Sequence, residues 1–331
     1  MLRFLAVLLP LLLLLLRSCS AQERSVQIAG ILELESNLWT EELWDFTTRS
    51  LRENWFLEIF PILTMQRSSL QATNIDFVLK NSGCDPTKAT QAYWETRQGN
   101  SDQLPPNAVI GSFCSGASIS LARVATLENV FQVSPVSTSA QLSDVDEFPH
   151  FARLLAPDNA QGEVGALVSA LRMFGWKRIS IISTDKQFAK DLENEFRKLW
   201  TSSRDDTTVE YATTVRSKAD GSLDEASAMA ALRDIPTDHP ERNSRIILLS
   251  AHSQDAFPIL EMAQNMGVQP DTIWVGPSAW IGNTDLLQNV SWIPPNPGFL
   301  GVIPHRNEEG KLHQLFLEKM QADQLSEGSQ I

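Results

Sequence analysis

The sequence lacks the motifs that mark the commonest catalytic and nucleotide-binding sites. It contains no Gly-x-Gly-x-x-Gly, no phosphate-binding P-loop, no His-Glu-x-x-His and no Gly-x-Ser-x-Gly. Its five histidines are scattered without metal-ligand spacing. The acidic pairs Asp205-Asp206 and Glu308-Glu309 have the character of solvated surface runs. We therefore expect a protein that is not an enzyme and needs no cofactor or metal; a hydrolase with a catalytic acidic pair is the catalytic alternative.

Basic residues are in the minority along the whole chain. The 27 lysines and arginines are outnumbered by 40 aspartates and glutamates, which gives a formal net charge of -13. A protein that binds nucleic acid or an anionic membrane surface normally carries a basic patch to meet the phosphates. The composition therefore argues against both of these partners.

Long apolar runs are absent except at the amino terminus. Met1–Arg3 forms a short basic start, Phe4–Leu16 is apolar apart from Pro10, and the small residues of "RSCSA" follow. This pattern predicts a secretory signal peptide over residues 1–21, with a retained anchor or a bacterial lipoprotein as alternatives. The signal peptide predicts export of the rest of the chain. Because no second stretch is long enough to cross a bilayer, we expect the chain to be soluble after cleavage or to be a fragment of a longer protein.

Export leaves two of the three cysteines. Cleavage removes Cys19, and Cys84 and Cys114 remain. Two cysteines in an oxidising compartment most often pair, so the sequence predicts a disulfide between Cys84 and Cys114. Asn289-Val290-Ser291 is a sequon for N-linked glycosylation of Asn289, which is consistent with export.

Apolar β-branched strands alternate with amphipathic helices along most of the chain. Clear examples are the strand "KRISIIST", Lys177–Thr184, and the helix "FAKDLENEFRKLW", Phe188–Trp200. Such alternation predicts the α/β class, with parallel sheets covered on both faces. A break near Leu155–Asn159 indicates two lobes and a hinge. After the signal peptide we expect lobe 1 over residues 22–157, lobe 2 over 158–303, and an incomplete return towards lobe 1 over 304–331.

Two clusters of small hydroxyl residues follow neighbouring strands. Ser115 and Ser118 come after the strand "NAVIGSF", and Ser137-Thr138-Ser139 comes after the strand "VFQVS". Parallel strands joined by a helix place both clusters at the carboxyl edge of one sheet. There the amino terminus of the helix suits a carboxylate or another compact anion. The alternative is that the first pair caps the helix and the second cluster forms a turn.

Five segments, taken in order, resemble one receptor family. They are "GCDPTKATQAYWE", "VIGSFCSGASISLARVA", "VSTSAQLSD", "FPHFARL" and "FGWKRISII". Their order and spacing resemble the receptor family ligand-binding region, the type I periplasmic-binding-protein-like fold of class C G-protein-coupled receptors and receptor guanylate cyclases. The similarity is greatest to the gamma-aminobutyric acid type B receptor ectodomain and extends from Ser25 to about Gln321. It implies a bilobed fold with two doubly wound, mostly parallel sheets joined by a hinge.

The resemblance also implies a set of ligand-binding residues. Ser115 and Thr138 fall on two hydroxyls that hold the ligand carboxylate and neighbouring groups in amino-acid-binding members. Trp39 falls on a tryptophan that faces the ligand, although it would equally fit a loop aromatic packed on lobe 1. For lobe 2 the resemblance implies four further residues: Phe188, His252, Ser278 and Trp280.

Lobe 2 departs from the family pattern at two of these positions. His252 stands where the type B receptors have a tyrosine, and a surface-loop histidine is the alternative. Ser278 stands where many amino-acid-binding relatives have an aspartate that pairs with the ligand ammonium. A neutral hydroxyl cannot replace that ion pair, so the resemblance does not imply an α-amino acid or gamma-aminobutyric acid as the ligand.

The function implied by the resemblance is that of an extracellular sensor. A small amino-acid-like or carboxylate ligand would bind in the cleft between the lobes, and lobe closure would signal. We expect a homo- or heterodimer through lobe 1 at the extracellular side of the plasma membrane, with membrane segments beyond Ile331, or a secreted protein. The alternatives are a dimerisation subunit of the same fold that binds no ligand, and the ectodomain of a receptor guanylate cyclase.

Overall fold

The computed structural model describes most of the chain in two compact units. The described residues are 25–32, 74–98, 104–202, 206–235, 245–268, 272–282 and 298–304. Among them, one unit holds the residues up to Ser137 and Asp144–Leu155, and the other holds Thr138–Ser143 and Ala156–Pro304. The predicted signal peptide, Trp39 and Asn289 lie outside the described residues.

A sheet of five parallel strands forms the centre of the first unit. Its strands are β1 (Ser25–Leu32), β2 (Asn74–Asn81), β3 (Ala108–Gly111), β4 (Phe131–Ser134) and β5 (Phe151–Arg153). Their order in the sheet is β2-β1-β3-β4-β5. From β1 the chain passes to β2 on one side and then to β3 on the other, so the order reverses between β1 and β3. Open α/β sheets bind ligands beyond the carboxyl ends of the strands at such a reversal.

Two helices of the first unit pack together against its sheet. They are α1 (Pro86–Gln98) and α2 (Ser115–Leu127). Along α2 the residues Ala117, Leu121 and Ala125 recur at intervals of four, and they are buried with Val109 of β3 and Tyr93 of α1. This spacing puts them on one face of the helix, which packs against the sheet. Because α2 begins at Ser115, shortly after β3 ends at Gly111, its amino terminus lies at the carboxyl edge of the sheet.

Gly111 ends β3 where that strand lies beside β1. It pairs with Ile31, and its φ is 128°. A Cβ at this position would lie 1.9 Å from the carbonyl oxygen of Ile31. Only glycine combines this backbone conformation with such a close approach. The turn that carries Ser115 therefore leaves the sheet at a point where the backbones of β3 and β1 approach closely.

A second sheet of five parallel strands forms the centre of the other unit. Its strands are β6 (Arg178–Thr184), β7 (Thr208–Val215), β8 (Ile246–Ser250), β9 (Ile273–Gly276) and β10 (Phe299–Gly301). Their order is β10-β9-β8-β6-β7. The chain enters at β6, passes to β7 on one side and then crosses to β8 on the other. The order therefore reverses between β6 and β8.

Helices cover both faces of this second sheet. They are α3 (Glu163–Met173), α4 (Gln187–Thr201), α5 (Glu225–Arg233), α6 (Ser253–Asn265) and the single turn α7 (Ser278–Ile281). Ile181 of β6 and Leu248 of β8 are buried with residues of α3 and α4, whereas Ile182 and Leu249 are buried with residues of α5 and α6. Strands buried on both faces explain the continuous apolar runs in the sequence, and the predicted α/β class with parallel sheets is confirmed.

The described helices contain no candidate for a membrane span, since none of them is both long and apolar enough to cross a bilayer.

Candidate functional site

The turn after β3 carries the first predicted hydroxyl. Ser115 is the first residue of α2 and is only 2% exposed. Cys114 precedes it at the cap position and forms the predicted disulfide with Cys84, with 5.3 Å between the two Cα atoms. The disulfide joins the start of α2 to the segment that follows β2. Covalent attachment therefore holds Ser115 at the carboxyl edge of the first sheet, next to the reversal between β1 and β3.

Three neighbouring hydroxyls lie within hydrogen-bond distance of the carbonyl oxygen of Ser112. It lies 2.6 Å from Oγ of Ser134, 2.8 Å from Oγ of Ser118 and 3.1 Å from Oγ of Ser137. Ser137 Oγ also lies 2.7 Å from Ser118 Oγ and 2.9 Å from the carbonyl oxygen of Phe113. These contacts are buried. The hydroxyls therefore order the turn between β3 and α2, and Ser118 does not cap the helix.

The three residues of the second cluster bond to three different parts of the chain. Ser137 belongs to the Ser112 network. Thr138 donates its hydroxyl to Oδ2 of Asp158 at 2.6 Å, and Ser139 donates its hydroxyl to Asp191 of α4. The cluster therefore makes hydrogen bonds to several separate parts of the protein, which a simple turn would not.

Asp158 is a candidate residue that the sequence reasoning missed. It is fully buried, and besides the Thr138 hydroxyl bond its backbone N–H donates to the Thr138 carbonyl oxygen at 2.7 Å. A buried carboxylate needs such donors to offset its desolvation. In the sequence, Asp158 is only a polar residue of "APDN", within the break near Leu155–Asn159 that indicates the boundary between lobes. Asp158 instead fixes the backbone and side chain of a predicted ligand residue.

The reversal of the second sheet brings Phe188 and His252 together. Phe188 lies just after β6 in α4, and His252 lies just after β8 as the cap residue of α6. Their rings stack with centroids 4.5 Å apart and an angle of 25°. Burial lowers the pKa of His252 to about 4, and the nearby Lys186 ammonium acts in the same direction. His252 is therefore neutral at physiological pH.

An ion pair lies beside these rings. Nζ of Lys186, the cap residue of α4, is 2.9 Å from Oδ2 of Asp255 in the first turn of α6. Burial raises the pKa of Asp255, whereas Lys186 lowers it. Asp255 is buried, and its pairing with Lys186 offsets the cost of that burial. The pair joins the amino ends of α4 and α6 at the reversal between β6 and β8. The sequence analysis did not anticipate this pair, since the two charges are far apart along the chain.

Ser278 and Trp280 both lie in α7 but in different environments. Ser278 donates its backbone N–H and its hydroxyl to the carboxylate of Glu163, at 2.5 Å and 2.8 Å. Trp280 is fully buried, and its indole N–H donates to the carbonyl oxygen of Leu249 at 2.9 Å. The Trp280 side chain thus belongs to the core of the second unit, whereas Ser278 follows β9 at the carboxyl edge.

The described part of the chain contains no group of three or more histidine, cysteine, aspartate or glutamate side chains that could hold a metal ion. Within the second unit, the stacked rings of Phe188 and His252 and the Lys186–Asp255 ion pair are groups suited to contacting a small polar molecule.

The chain matches a known family over most of its length. The family model described as the receptor family ligand binding region matches residues 63–330. Among curated proteins, the metabotropic glutamate receptor of Drosophila melanogaster is 29% identical over 204 residues, which is 60% of this chain and 20% of that receptor.

Two vertebrate relatives show the same partial coverage. Metabotropic glutamate receptor 6 of Oryctolagus cuniculus is 24% identical over 213 residues, 64% of this chain and 23% of the receptor. Metabotropic glutamate receptor 8 of Homo sapiens is 24% identical over 174 residues, 53% of this chain and 18% of the receptor. The matched segments thus span about a fifth of each relative. Because the family model covers well over half of its 331 residues, the chain belongs to the receptor family ligand-binding region.

Proposed function

We propose that this chain is the ligand-binding region of a class C-like receptor and binds a small amino-acid-like or carboxylate ligand. One observation carries the proposal: candidate side chains follow the strands at the reversal of each sheet. Ser115 follows β3, Phe188 follows β6 and His252 follows β8. These are the positions where open α/β sheets bind ligands, and membership of the family supports the same reading.

The candidate residues divide by chemistry between the two units. In the first unit, Ser115 stands at the amino terminus of α2, a place that favours an anionic group such as a carboxylate. In the second unit, the stacked rings of Phe188 and His252 would contact apolar parts of the ligand. Thr138 would contribute a hydroxyl that already donates to Asp158. Trp280 is omitted from the proposed contacts because its ring belongs to the apolar core of the second unit and its indole N–H is already donated to the Leu249 carbonyl oxygen.

Two compounds should be titrated against the protein first. The relatives are metabotropic glutamate receptors by name, which puts L-glutamate first. The resemblance of "GCDPTKATQAYWE" and the following motifs to the type B receptors makes gamma-aminobutyrate the second compound to titrate, even though Ser278 lacks the charge that would pair with its ammonium. Signalling by lobe closure, a dimer through lobe 1, the signal peptide, glycosylation of Asn289 and an extracellular location rest on the sequence and the family resemblance, and they are part of the proposal.

Titration calorimetry on the secreted protein tests the proposal. We expect L-glutamate, gamma-aminobutyrate or glutarate to bind the wild-type protein. Ser115→Ala should then weaken that binding by roughly 1–3 kcal/mol, because one hydrogen bond to a charged ligand group is lost. Ser169→Ala is the matched control, since Ser169 is exposed on α3 and donates to the Gly165 carbonyl oxygen of the same helix. Equal affinity in the wild type and in Ser115→Ala would contradict the role of Ser115.

A subunit that binds no ligand is the second candidate, and a specific observation favours it. The hydroxyls of Ser118, Ser137 and Thr138 are all bonded within the protein. A ligand at these positions must exchange existing hydrogen bonds for its own, which gives little net stabilisation. Absence of binding for every compound, together with a stable dimer in sedimentation, would support this second function over the first.

A further inference from the structure

Three apolar side chains are grouped where α3 ends. Met173 is the last residue of this helix and is 78% exposed, and Phe174 follows it and is 51% exposed. The ring of Trp176 stacks on that of Phe174 with the centroids 4.9 Å apart, and it also packs against the core of the second unit. A group of adjacent exposed apolar side chains indicates an interaction site, whereas single ones are common on any surface. We call Met173, Phe174 and Trp176 the α3 patch.

Backbone hydrogen bonds hold this turn in one conformation. The N–H of Gly175 donates to the Arg172 carbonyl oxygen at 2.9 Å, and the N–H of Trp176 donates to the Leu171 carbonyl oxygen at 3.1 Å. These two bonds form a Schellman motif, in which the residue after the helix cap is left-handed, and the φ of Gly175 is 71°. Because the turn is ordered before any partner arrives, binding at the α3 patch loses little conformational entropy.

The residues that follow the α3 patch are basic, although the chain as a whole carries a net charge of -13. Lys177 and Arg178 come next in the sequence, and both are exposed. Arg178 Nε lies 3.8 Å from Oε1 of Glu210. Lys177 forms no ion pair within the part of the chain that the structure describes. An apolar group flanked by carboxylates therefore complements this surface in both polarity and charge.

The first unit carries a surface with that complementary chemistry. Val145 is 74% exposed and lies between Asp144 and Asp146. Asp144 Oδ1 accepts from the backbone N–H groups of Asp146 at 2.9 Å and Glu147 at 3.1 Å, so this turn is ordered as well. Glu147 pairs with Arg123 at 2.8 Å, whereas Asp146 pairs with no lysine, arginine or histidine of the described residues. We call residues 144–147 the acidic turn.

We propose that the α3 patch of one copy of this protein binds the acidic turn of a second copy. Val145 contacts the exposed ring of Phe174, and the Asp146 carboxylate pairs with the Lys177 ammonium. Because two different surfaces meet, the contact is heterologous, and each copy keeps one surface of each kind for a further neighbour. The contact is separate from the dimer expected through lobe 1, and it goes beyond the proposed function because no ligand takes part in it.

The association is weak and depends on salt. Two surface turns bury little area, and interfaces below about 1,200 Å² are typical of transient complexes. The pair between Asp146 and Lys177 lies at the surface, where dissolved ions screen it. We therefore expect the dissociation constant to rise when the sodium chloride concentration is raised from about 0.05 M to about 0.5 M.

Two charge reversals disable the two surfaces one at a time. Lys177→Glu impairs the α3 patch and leaves the acidic turn intact, and Asp146→Lys does the opposite. Fluorescently labelled Lys177→Glu protein is titrated with Asp146→Lys protein and, separately, with unlabelled Lys177→Glu protein. Only the first mixture contains both an intact acidic turn and an intact α3 patch, whereas a dimer through lobe 1 contributes equally to both. The control is Lys218→Glu, because Lys218 is exposed but follows β7 at the opposite edge of the second sheet.

The heterologous contact predicts a distinctive pattern of association. The wild-type protein should gain mass with concentration in sedimentation, and each charge reversal alone should weaken this association at least tenfold. The labelled Lys177→Glu protein should bind Asp146→Lys at least tenfold more tightly than it binds itself. The two reversals combined in one chain should restore self-association, and Lys218→Glu should behave as the wild type. Phe174→Ser removes the apolar contact without changing the charge, so it should also weaken association.

Three results would overturn the inference. Equal affinity in the two titrations would mean that the α3 patch and the acidic turn do not meet. Association that Phe174→Ser weakens and Asp146→Lys leaves unchanged would assign the α3 patch to a different surface. Absence of self-association, together with sedimentation on vesicles of phosphatidylcholine and phosphatidylserine that Phe174→Ser abolishes, would assign it to a lipid surface. Urea unfolding of each variant measures folding separately from association.

Discussion

Hydroxyl residues near the predicted ligand site are bonded mainly to the protein itself. Ser118, Ser134 and Ser137 surround the Ser112 carbonyl oxygen, and Thr138 donates to Asp158. Such buried contacts are each worth about 1 kcal/mol net, and far more is lost when one partner is left unsatisfied. These side chains therefore stabilise the turns at this edge, and a ligand that bonds to them would have to replace hydrogen bonds within the protein.

The protonation of His252 should be visible in the pH dependence of the free energy of unfolding. Burial lowers its pKa in the folded protein to about 4, from an ordinary value of 6.5. Below pH 6.5 the unfolded chain takes up a proton that the folded protein refuses. The free energy of unfolding should therefore fall as the pH falls from about 6.5 to about 4, by roughly 3 kcal/mol in total, and this contribution should level off below pH 4.

Replacement of the ring isolates this effect from that of the carboxylates. His252→Phe keeps an aromatic ring against Phe188 and cannot be protonated. Urea unfolding from pH 7.5 to pH 4 should show a shallower loss of stability for His252→Phe than for the wild type, with the wild-type loss concentrated between pH 6.5 and pH 4. Parallel curves for the two proteins would show that His252 is protonated equally well in both states.

The helices α4, α6 and α7 begin at the carboxyl edge of the second sheet. Lys186, His252 and Pro277 occupy the cap positions of α4, α6 and α7, yet none of their side chains caps its helix. By contrast, Asp224 caps α5 conventionally and accepts from the backbone N–H groups of Ala226 and Ser227. The helices α4 and α6, which carry Phe188 and follow His252, thus begin without a side-chain cap, whereas Glu163 accepts the first backbone N–H of α7.

The cap of α5 offers a direct measurement at the level of one element. Asp224→Ala removes both acceptor contacts and should lower the free energy of unfolding by about 1 kcal/mol. Asp224→Asn retains an acceptor oxygen and should cost only a few tenths of a kcal/mol. Urea unfolding at neutral pH gives both values. Equal destabilisation by the two substitutions would mean that the carboxylate charge, rather than the cap, stabilises this helix.

The sequence predicted the architecture of the whole molecule better than it predicted the site. Strands such as Lys177–Thr184 combine β-branched residues with clear boundaries, so β6 at Arg178–Thr184 and the parallel sheets followed from local pattern alone. The disulfide followed from the small number of cysteines. Periodicity reports which face of an element is buried, and this information is present in every segment of the chain.

Pairs between distant segments could not be predicted in the same way. The hydrogen bonds of Glu163 to Ser278 and of Thr138 to Asp158 join residues 115 and 20 positions apart. Nothing in the local sequence distinguishes these carboxylates from the many solvated ones. Trp280 illustrates the converse, because a tryptophan in a predicted ligand motif is fully buried and bonds to Leu249. Only the packing of the strands reveals such partners.

Ligand binding at the carboxyl edge of a sheet, beyond the reversal of its strand order, is the proposal that most needs a direct test. Hydrogen–deuterium exchange of the secreted protein, with and without saturating L-glutamate, gamma-aminobutyrate or glutarate, tests it most directly. We expect at least one compound to slow amide exchange in the segments that follow β3, β6 and β8, around Ser115, Phe188 and His252. Exchange that stays unchanged with every compound, or that slows only at the opposite ends of these strands, would contradict it.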